Sequence, residues 1–337
     1  MDKESLATVA SAIVAPGKGI LAADESTPTM GKRLALINQE NTEANRRDFR
    51  QALFDTESME HFISGVILFE ETLEQKSEDG TRLSNILESK GVYPGIKVDK
   101  GAHPMDDSPS EKITKGLDGL YERCIDFYKL GARFAKWRAV ITIGDKIPTD
   151  NCIQANASAL AKYAKACQDA NLVPIVEPEV LMDGNHTIQT CYEVSEKTLR
   201  TTFNELEKEG VYLPGILLKP NMVISGKECP VQADMNEVAQ MTVKCLMASV
   251  PKEVPGIVFL SGGQSETEAT EHLNAMNAMG EYPWKLSFSY GRALQQSALH
   301  SWAGDNANLD TTYATFYHRA EMNSKACHGE YSPELEI

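Results

Sequence analysis

At 337 residues the chain can hold one large domain or two ordinary ones. Its 33 lysines and arginines face 48 acids, and a formal charge of −15 argues against nucleic acid or an anionic membrane as the main partner. The seven cysteines are scattered, with no Cys-x-x-Cys pair, which fits a reducing cytosol better than a disulfide framework. The first apolar stretch is broken by Pro16-Gly17-Lys18-Gly19, unlike a signal peptide or a membrane span, so a cytoplasmic protein without membrane insertion is expected.

Eight apolar runs of strand length then recur roughly every 30 to 45 residues, a spacing suited to strand-loop-helix-loop units. They are Gly19 to Ala23, Gly65 to Phe69, Gly95 to Val98, Phe134 to Trp137, Val173 to Val176, Gly215 to Leu218, Gly256 to Leu260 and Leu286 to Ser289. Their near-continuous Val, Ile and Leu content predicts parallel strands covered by helices. Between them, Leu117, Leu120, Cys124 and Phe127 fall on one helical face ahead of Gly131, a cap candidate, and Leu199, Phe203 and Leu206 do the same before Gly210. Ser265 followed by Glu268 is a capping-box pattern, with Leu273 and Met276 behind it. No linker divides the chain, so residues 1–337 are expected to form a single α/β domain. The leading architecture is a (β/α)₈ TIM barrel with an N-terminal helical extension and a short C-terminal tail; a doubly wound open sheet is the alternative.

A barrel builds its site at the carboxyl ends of its strands, and here those ends are charged. Asp24 closes the first run, Glu70 the second, Lys97 and Asp99 the third, Lys136 and Arg138 the fourth, Glu177 and Glu179 the fifth, and Lys219 the sixth. Alternation along a strand puts Lys136 with Arg138, and Glu177 with Glu179, on one face each. Lys219 ends an apolar run, where burying an unpaired ammonium costs several kcal/mol. An unperturbed lysine, with a pKa of about 10.4, offers roughly one free amine in a few thousand at neutral pH. Burial and a second cation such as Lys136 would favour the neutral nucleophile. The last two runs end in Ser261-Gly262-Gly263 and Ser289-Tyr290-Gly291-Arg292. Barrels commonly bind phosphate there, on open backbone and a helix N-terminus.

Seven segments carry a resemblance: Gly19 to Ser26, Gly95 to Gly101, Phe134 to Arg138, Val176 to Glu179, Leu217 to Met222, Phe259 to Ser265 and Phe288 to Leu294. In this order, and nearly end to end, they resemble class I fructose-bisphosphate aldolases. The resemblance implies a metal-free and cofactor-free barrel that reversibly cleaves fructose 1,6-bisphosphate into dihydroxyacetone phosphate and glyceraldehyde 3-phosphate. It implies that Lys219 forms an imine, the electron sink for the carbanion left at C3. Glu177 is the implied acid and base, with Glu179 and Lys136 shaping its charge; paired acids are expected to push one carboxyl up. Asp24 is the implied base on the C4 hydroxyl. Ser261, Gly262 and Arg292 are assigned to the C1 phosphate, and Lys97, Ser26 and Thr29 to the C6 phosphate. Arg138, Lys32 and Arg33 are expected to line the same mouth, although Lys32 and Arg33 also fit an ordinary solvated helix start. Homotetramers and association with actin or the cytoskeleton are further family traits.

The chain departs from the family pattern in three places. Pro28 stands in Ser26-Thr27-Pro28-Thr29 where the family usually has glycine, removing a backbone donor near the C6 phosphate. Pro214 replaces a usual Glu at the start of the sixth run, away from the reacting end. The family's tyrosine-ended tail assists proton exchange on the enamine; this sequence stops at Ile337 after Gly329-Glu330-Tyr331-Ser332-Pro333, so altered exchange on the dihydroxyacetone phosphate side is expected. Three other readings compete. A zinc-dependent aldolase needs clustered histidines, and the seven here are dispersed. A transaldolase-like lyase shares the lysine without the second phosphate clamp. A purely structural scaffold is at odds with the intact reactive set.

Overall fold

A computed structural model describes residues 1–336. The strands are β1 (Gly19–Ala23), β2 (Ile63–Leu68), β3 (Tyr93–Lys97), β4 (Ala102–Pro104), β5 (Lys112–Thr114), β6 (Phe134–Ile141), β7 (Val173–Val180), β8 (Leu217–Leu218), β9 (Gly256–Phe259) and β10 (Lys285–Tyr290). The helices are α1 (Lys3–Ile13), α2 (Thr27–Ala35), α3 (Glu43–Asp55), α4 (Glu70–Glu74), α5 (Leu83–Ser89), α6 (Leu120–Lys129), α7 (Asp150–Asp169), α8 (Ile188–Lys208), α9 (Met235–Ser249), α10 (Glu266–Ala278), α11 (Arg292–Trp302) and α12 (Leu309–Cys327). Eight parallel strands close in the order β1-β10-β9-β8-β7-β6-β3-β2. The closing pair, Ile20 opposite Ser289 and Leu21 opposite Tyr290, decides for the barrel over the open sheet.

Two core layers hold the barrel. The larger lies between strands and helices and includes Leu21, Leu68, Ile96, Trp137, Val176, Leu218 and Phe259. The smaller fills the barrel interior with Ile20, Ile67, Phe134, Ile175, Leu217 and Val258, and Leu6, Ala10, Ile13 and Val14 from α1 and its end join it. The N-terminal helix therefore plugs the amino end of the barrel. Glycine admits the bulk: a Cβ at Gly19 would sit 2.6 Å from the Phe288 ring, and one at Gly256 would sit 2.6 Å from Val14 Cγ1.

Strand boundaries differ from the sequence expectation where charge was taken as an end. β6 and β7 run four residues further, to Ile141 and Val180, because they pair with each other throughout, Phe134 opposite Val173 to Ile141 opposite Val180. Arg138, Glu177 and Glu179 thus lie inside strands. The sixth run is shorter, since Leu213–Gly215 turns as a 3₁₀ helix and only Leu217–Leu218 is strand. A bond from Lys219 N to Val176 O (2.8 Å) extends its hold on β7. Leu117 falls outside α6, which begins after Gly119 in a left-handed conformation (φ 62°). The Ser265–Glu268 capping box forms as predicted. The short exposed hairpin of β4 and β5 was not expected; it pairs Ala102 with Thr114, His103 with Ile113 and Pro104 with Lys112. Among the described residues, no helix is long and apolar enough to cross a membrane.

Candidate active site

The carboxyl ends of the strands surround a cavity of about 270 Å³. Asp24 follows β1, Lys97 closes β3, Lys136 and Arg138 come from β6, Glu177 and Glu179 from β7, and Lys219 follows β8. Ser261 and Gly262 follow β9, Arg292 opens α11, Ser26 and Thr29 enter from the start of α2 and Arg33 from its last turn. All of these line the cavity. Lys32, also on α2, is exposed and lies outside the lining, as a solvated helix residue does.

At the floor, charges alternate in sign. Lys219 Nζ lies 3.3 Å from Glu177 Oε1; Lys136 Nζ lies 3.3 Å from Glu177 Oε2 and 2.6 Å from Asp24 Oδ2. Lys136, Glu177 and Lys219 are only 3–4% exposed. Burial disfavours the charge on Asp24, but Lys136, Lys219 and Lys97 outweigh it and hold the carboxyl well below the usual carboxylate range. Burial likewise opposes the Lys136 ammonium, and Asp24 and Glu177 overcome it, raising its pKa. For Glu177 burial pushes up, while Lys136, Lys219 and Arg138 pull down more strongly, leaving its pKa lowered. The upward shift expected from paired acids is therefore not found in the substrate-free site. The reason is geometric: Glu179 is neutralised by its own ion pair with Arg138, while Glu177 sits between two ammonium groups.

Around the rim, Lys97 Nζ pairs with Asp99 Oδ1 at 3.3 Å, and the Ser26 and Thr29 hydroxyls meet at 3.0 Å over the first turn of α2. Ser26 caps that helix and Pro28 is its second residue, so one N–H is missing from the open end. Across the barrel from Lys97, the turn after β9 leaves no space at Gly262, where a Cβ would stand 2.5 Å from Met182 Cε and 2.9 Å from Leu260 Cδ1. Gly291 precedes α11 without a side-chain cap, leaving the first turn of that helix open beside Arg292.

Comparison with known proteins agrees with this layout. Residues 5–336 match the family described as fructose-bisphosphate aldolase class-I. The chain belongs to the class-I fructose-bisphosphate aldolase family. A relative from Xanthomonas axonopodis pv. citri, named "Probable fructose-bisphosphate aldolase class 1", is 54% identical over 98% of this chain and 99% of its own. The fructose-bisphosphate aldolase of Dictyostelium discoideum is 51% identical over 98% of this chain and 94% of its own. A solved structure of Plasmodium falciparum fructose-bisphosphate aldolase, in complex with TRAP and a small-molecule inhibitor, superposes with a TM-score of 0.97 at 51% identity, covering 98% of this chain and 96% of that one.

This class-I aldolase site includes residues the sequence did not single out. Glu25 is buried, with Oε1 2.5 Å from Arg33 Nη1 and accepting from Gln295 Nε2 at 3.0 Å. Arg50 donates to the Glu25 carbonyl at 2.8 Å and Gln295 to the Ala22 carbonyl at 2.6 Å. These bonds fix both the backbone after β1 and the guanidinium of Arg33 at the mouth. Glu25 adjoins Asp24, but its partners lie 8, 25 and 270 positions away, so no local pattern marks it. Ser289, at the end of β10, also lines the aldolase cavity. Tyr331 stands elsewhere: it is buried, and its hydroxyl donates to Glu336 Oε1 at 3.0 Å. Among the described residues no group of three or more His, Cys, Asp or Glu side chains is arranged to hold a metal ion.

Proposed function

We propose that Lys219 forms the imine in the reversible cleavage of fructose 1,6-bisphosphate to dihydroxyacetone phosphate and glyceraldehyde 3-phosphate, within a single domain spanning residues 1–337. The supporting observation is a buried amine 3.3 Å from a buried carboxylate, at the floor of a cavity lined also by Lys97, Arg138, Arg33 and Arg292. Lys219 gives its ammonium proton to Glu177, 3.3 Å away, adds to the C2 carbonyl as the free amine, and Glu177 returns the proton to the carbinolamine hydroxyl, which leaves as water. A carbinolamine nitrogen no longer carries the ammonium charge, so one of the two cations holding Glu177 down disappears as the proton is needed. Glu177 thus moves from carboxylate to donor through the reaction itself. Asp24, held ionised by Lys136, takes the proton of the C4 hydroxyl as the C3–C4 bond breaks, and the electrons pass into the imine to give the enamine. Protonation at C3 and hydrolysis then release the second product.

The starts of α2 and α11 lie side by side, after the paired strands β1 and β10, while Lys97 on β3 faces the turn after β9 across the barrel, and these groups fit two phosphates. Ser261, Gly262 and Arg292 take the one on C1; Lys97, Ser26 and Thr29, with Arg33 and Arg138, take the one on C6. Resemblance to the family supports the further reading of a cytoplasmic homotetramer with a protein partner of the actin or cytoskeletal class, and light scattering tests the tetramer. The central assignment is tested by borohydride reduction in the presence of fructose 1,6-bisphosphate, followed by peptide mapping. A stable adduct on Lys219 is expected; an unmodified Lys219 in an enzyme that turns over would refute it.

A further inference from the structure

A second cavity, about 350 Å³, lies at the opposite end of the barrel, outside the plug formed by α1. Its volume exceeds that of the catalytic mouth and falls in the range of small-molecule sites, about 300–1,000 Å³. Lys18 enters from the turn before β1, Lys285 from the first residue of β10, and His328 from the end of α12. Lys18 is half-buried and Lys285 exposed, and neither forms an ion pair among the described residues. Glu281 is the one acid in the lining. In a chain with a formal charge of −15, this concentrates positive charge away from the catalytic mouth.

The backbone that presents Lys18 is fixed. Lys18 N donates to Ala15 O at 2.9 Å, and Ser287 Oγ donates to Lys18 O at 2.6 Å. Gly17, at φ 71°, lies under the His328 ring so closely that a Cβ there would stand 2.6 Å from Nε2. Two aromatic rings supply apolar wall. Trp284 Nε1 donates to Pro251 O at 2.8 Å and Tyr282 OH to Met276 O at 2.9 Å, so the polar atom of each is already engaged.

We propose that this cavity binds a small phosphate monoester, its phosphate between Lys18 and Lys285 and its organic body against Tyr282 and Trp284. The site is independent of the imine chemistry: six residues of extended chain, roughly 20 Å, separate Lys18 from Asp24. Trp284 is its reporter, because the other two tryptophans, Trp137 and Trp302, are packed elsewhere in the core. Tryptophan fluorescence of the intact protein is titrated with phenyl phosphate and with inorganic phosphate, using sodium chloride at matched ionic strength as the control. The expected result is a saturable change, tighter for phenyl phosphate, that is lost in W284F and weakened at least about tenfold in K18Q/K285Q. R292A retains it, and K18Q/K285Q keeps kcat/KM for fructose 1,6-bisphosphate within about twofold. The proposal is overturned if sodium chloride reproduces the change, if phenyl phosphate binds no tighter than phosphate, or if K18Q/K285Q titrates like the parent protein.

Discussion

Lys136 Nζ lies 2.6 Å from Asp24 Oδ2, and the same ammonium reaches Glu177, so one cation holds both the proposed cleavage-side base and the proposed imine-side acid. Removing it leaves two buried carboxylates sharing Lys219. Breaking such a buried pair costs about 3–5 kcal/mol, so K136M is expected to lower the urea midpoint strongly and to lose most cleavage activity. In a double-mutant cycle, D24N/K136M should be less destabilised than the sum of the single changes, because the second removes a charge the first left unpaired. Additive losses would show that the pair is uncoupled.

Acid stability follows from the same contact. The folded pKa of Asp24 is depressed, so the unfolded chain binds a proton more readily. This stabilisation is present above the unfolded pKa of about 3.9 and is lost as pH falls toward the folded value. Urea midpoints recorded between about pH 6 and pH 3 should therefore fall on acidification, and fall less steeply in D24N. Equal slopes in both proteins would remove Asp24 from the account.

Glu177 separates proton transfer from binding. E177Q preserves shape but cannot donate a carboxylic proton, and loss of one general acid lowers rate by about 10²–10⁴-fold. The decline should appear as slow borohydride trapping of Lys219 in single-turnover experiments. Trapping at the parental rate would move the acid role to another group.

Gly262 tests the space around the proposed C1-phosphate site. An alanine there meets Met182 Cε at 2.5 Å, and overpacking of this kind costs about 1–3 kcal/mol. G262A should raise KM for both the one-phosphate and two-phosphate ketoses, and M182A in the same chain should recover part of the loss. Failure of M182A to help would mean that the glycine is needed for its backbone rather than for the contact.

Glu25 tests the placement of Arg33. E25Q weakens the hold on Arg33, so KM should rise several-fold, about 1 kcal/mol, for fructose 1,6-bisphosphate and little for fructose 1-phosphate. A matching rise for both sugars would place Arg33 away from the C6 phosphate.

How much of this was legible depended on whether the information is local. The eight strands could be read because parallel strands buried on both faces are continuous apolar runs, and β1 was bounded correctly at Gly19 and Ala23. β6 and β7 were cut short at Trp137 and Val176 because their remaining residues include charges that look like loop. Their mutual pairing, from Arg138 with Glu177 to Ile141 with Val180, keeps them in the sheet. Lys219, Lys136 and Asp24 were legible as charges ending apolar runs. The depressed state of Glu177 was not, because it depends on Glu179 turning to Arg138 and on two lysines from other strands. Glu25 was hidden for the same reason, and the β4–β5 hairpin because its strands are short and largely exposed.

The plug formed by Leu6, Ala10, Ile13 and Val14 has a further consequence. With α1 packed into that end of the barrel, the cavity at the carboxyl ends of the strands lies on the side away from the plug. On the proposed mechanism, the half of the sugar bonded to Lys219 stays tethered during cleavage at the floor of the cavity while the aldehyde half is free. Departure is thus sequential, with the free fragment first and the tethered one second.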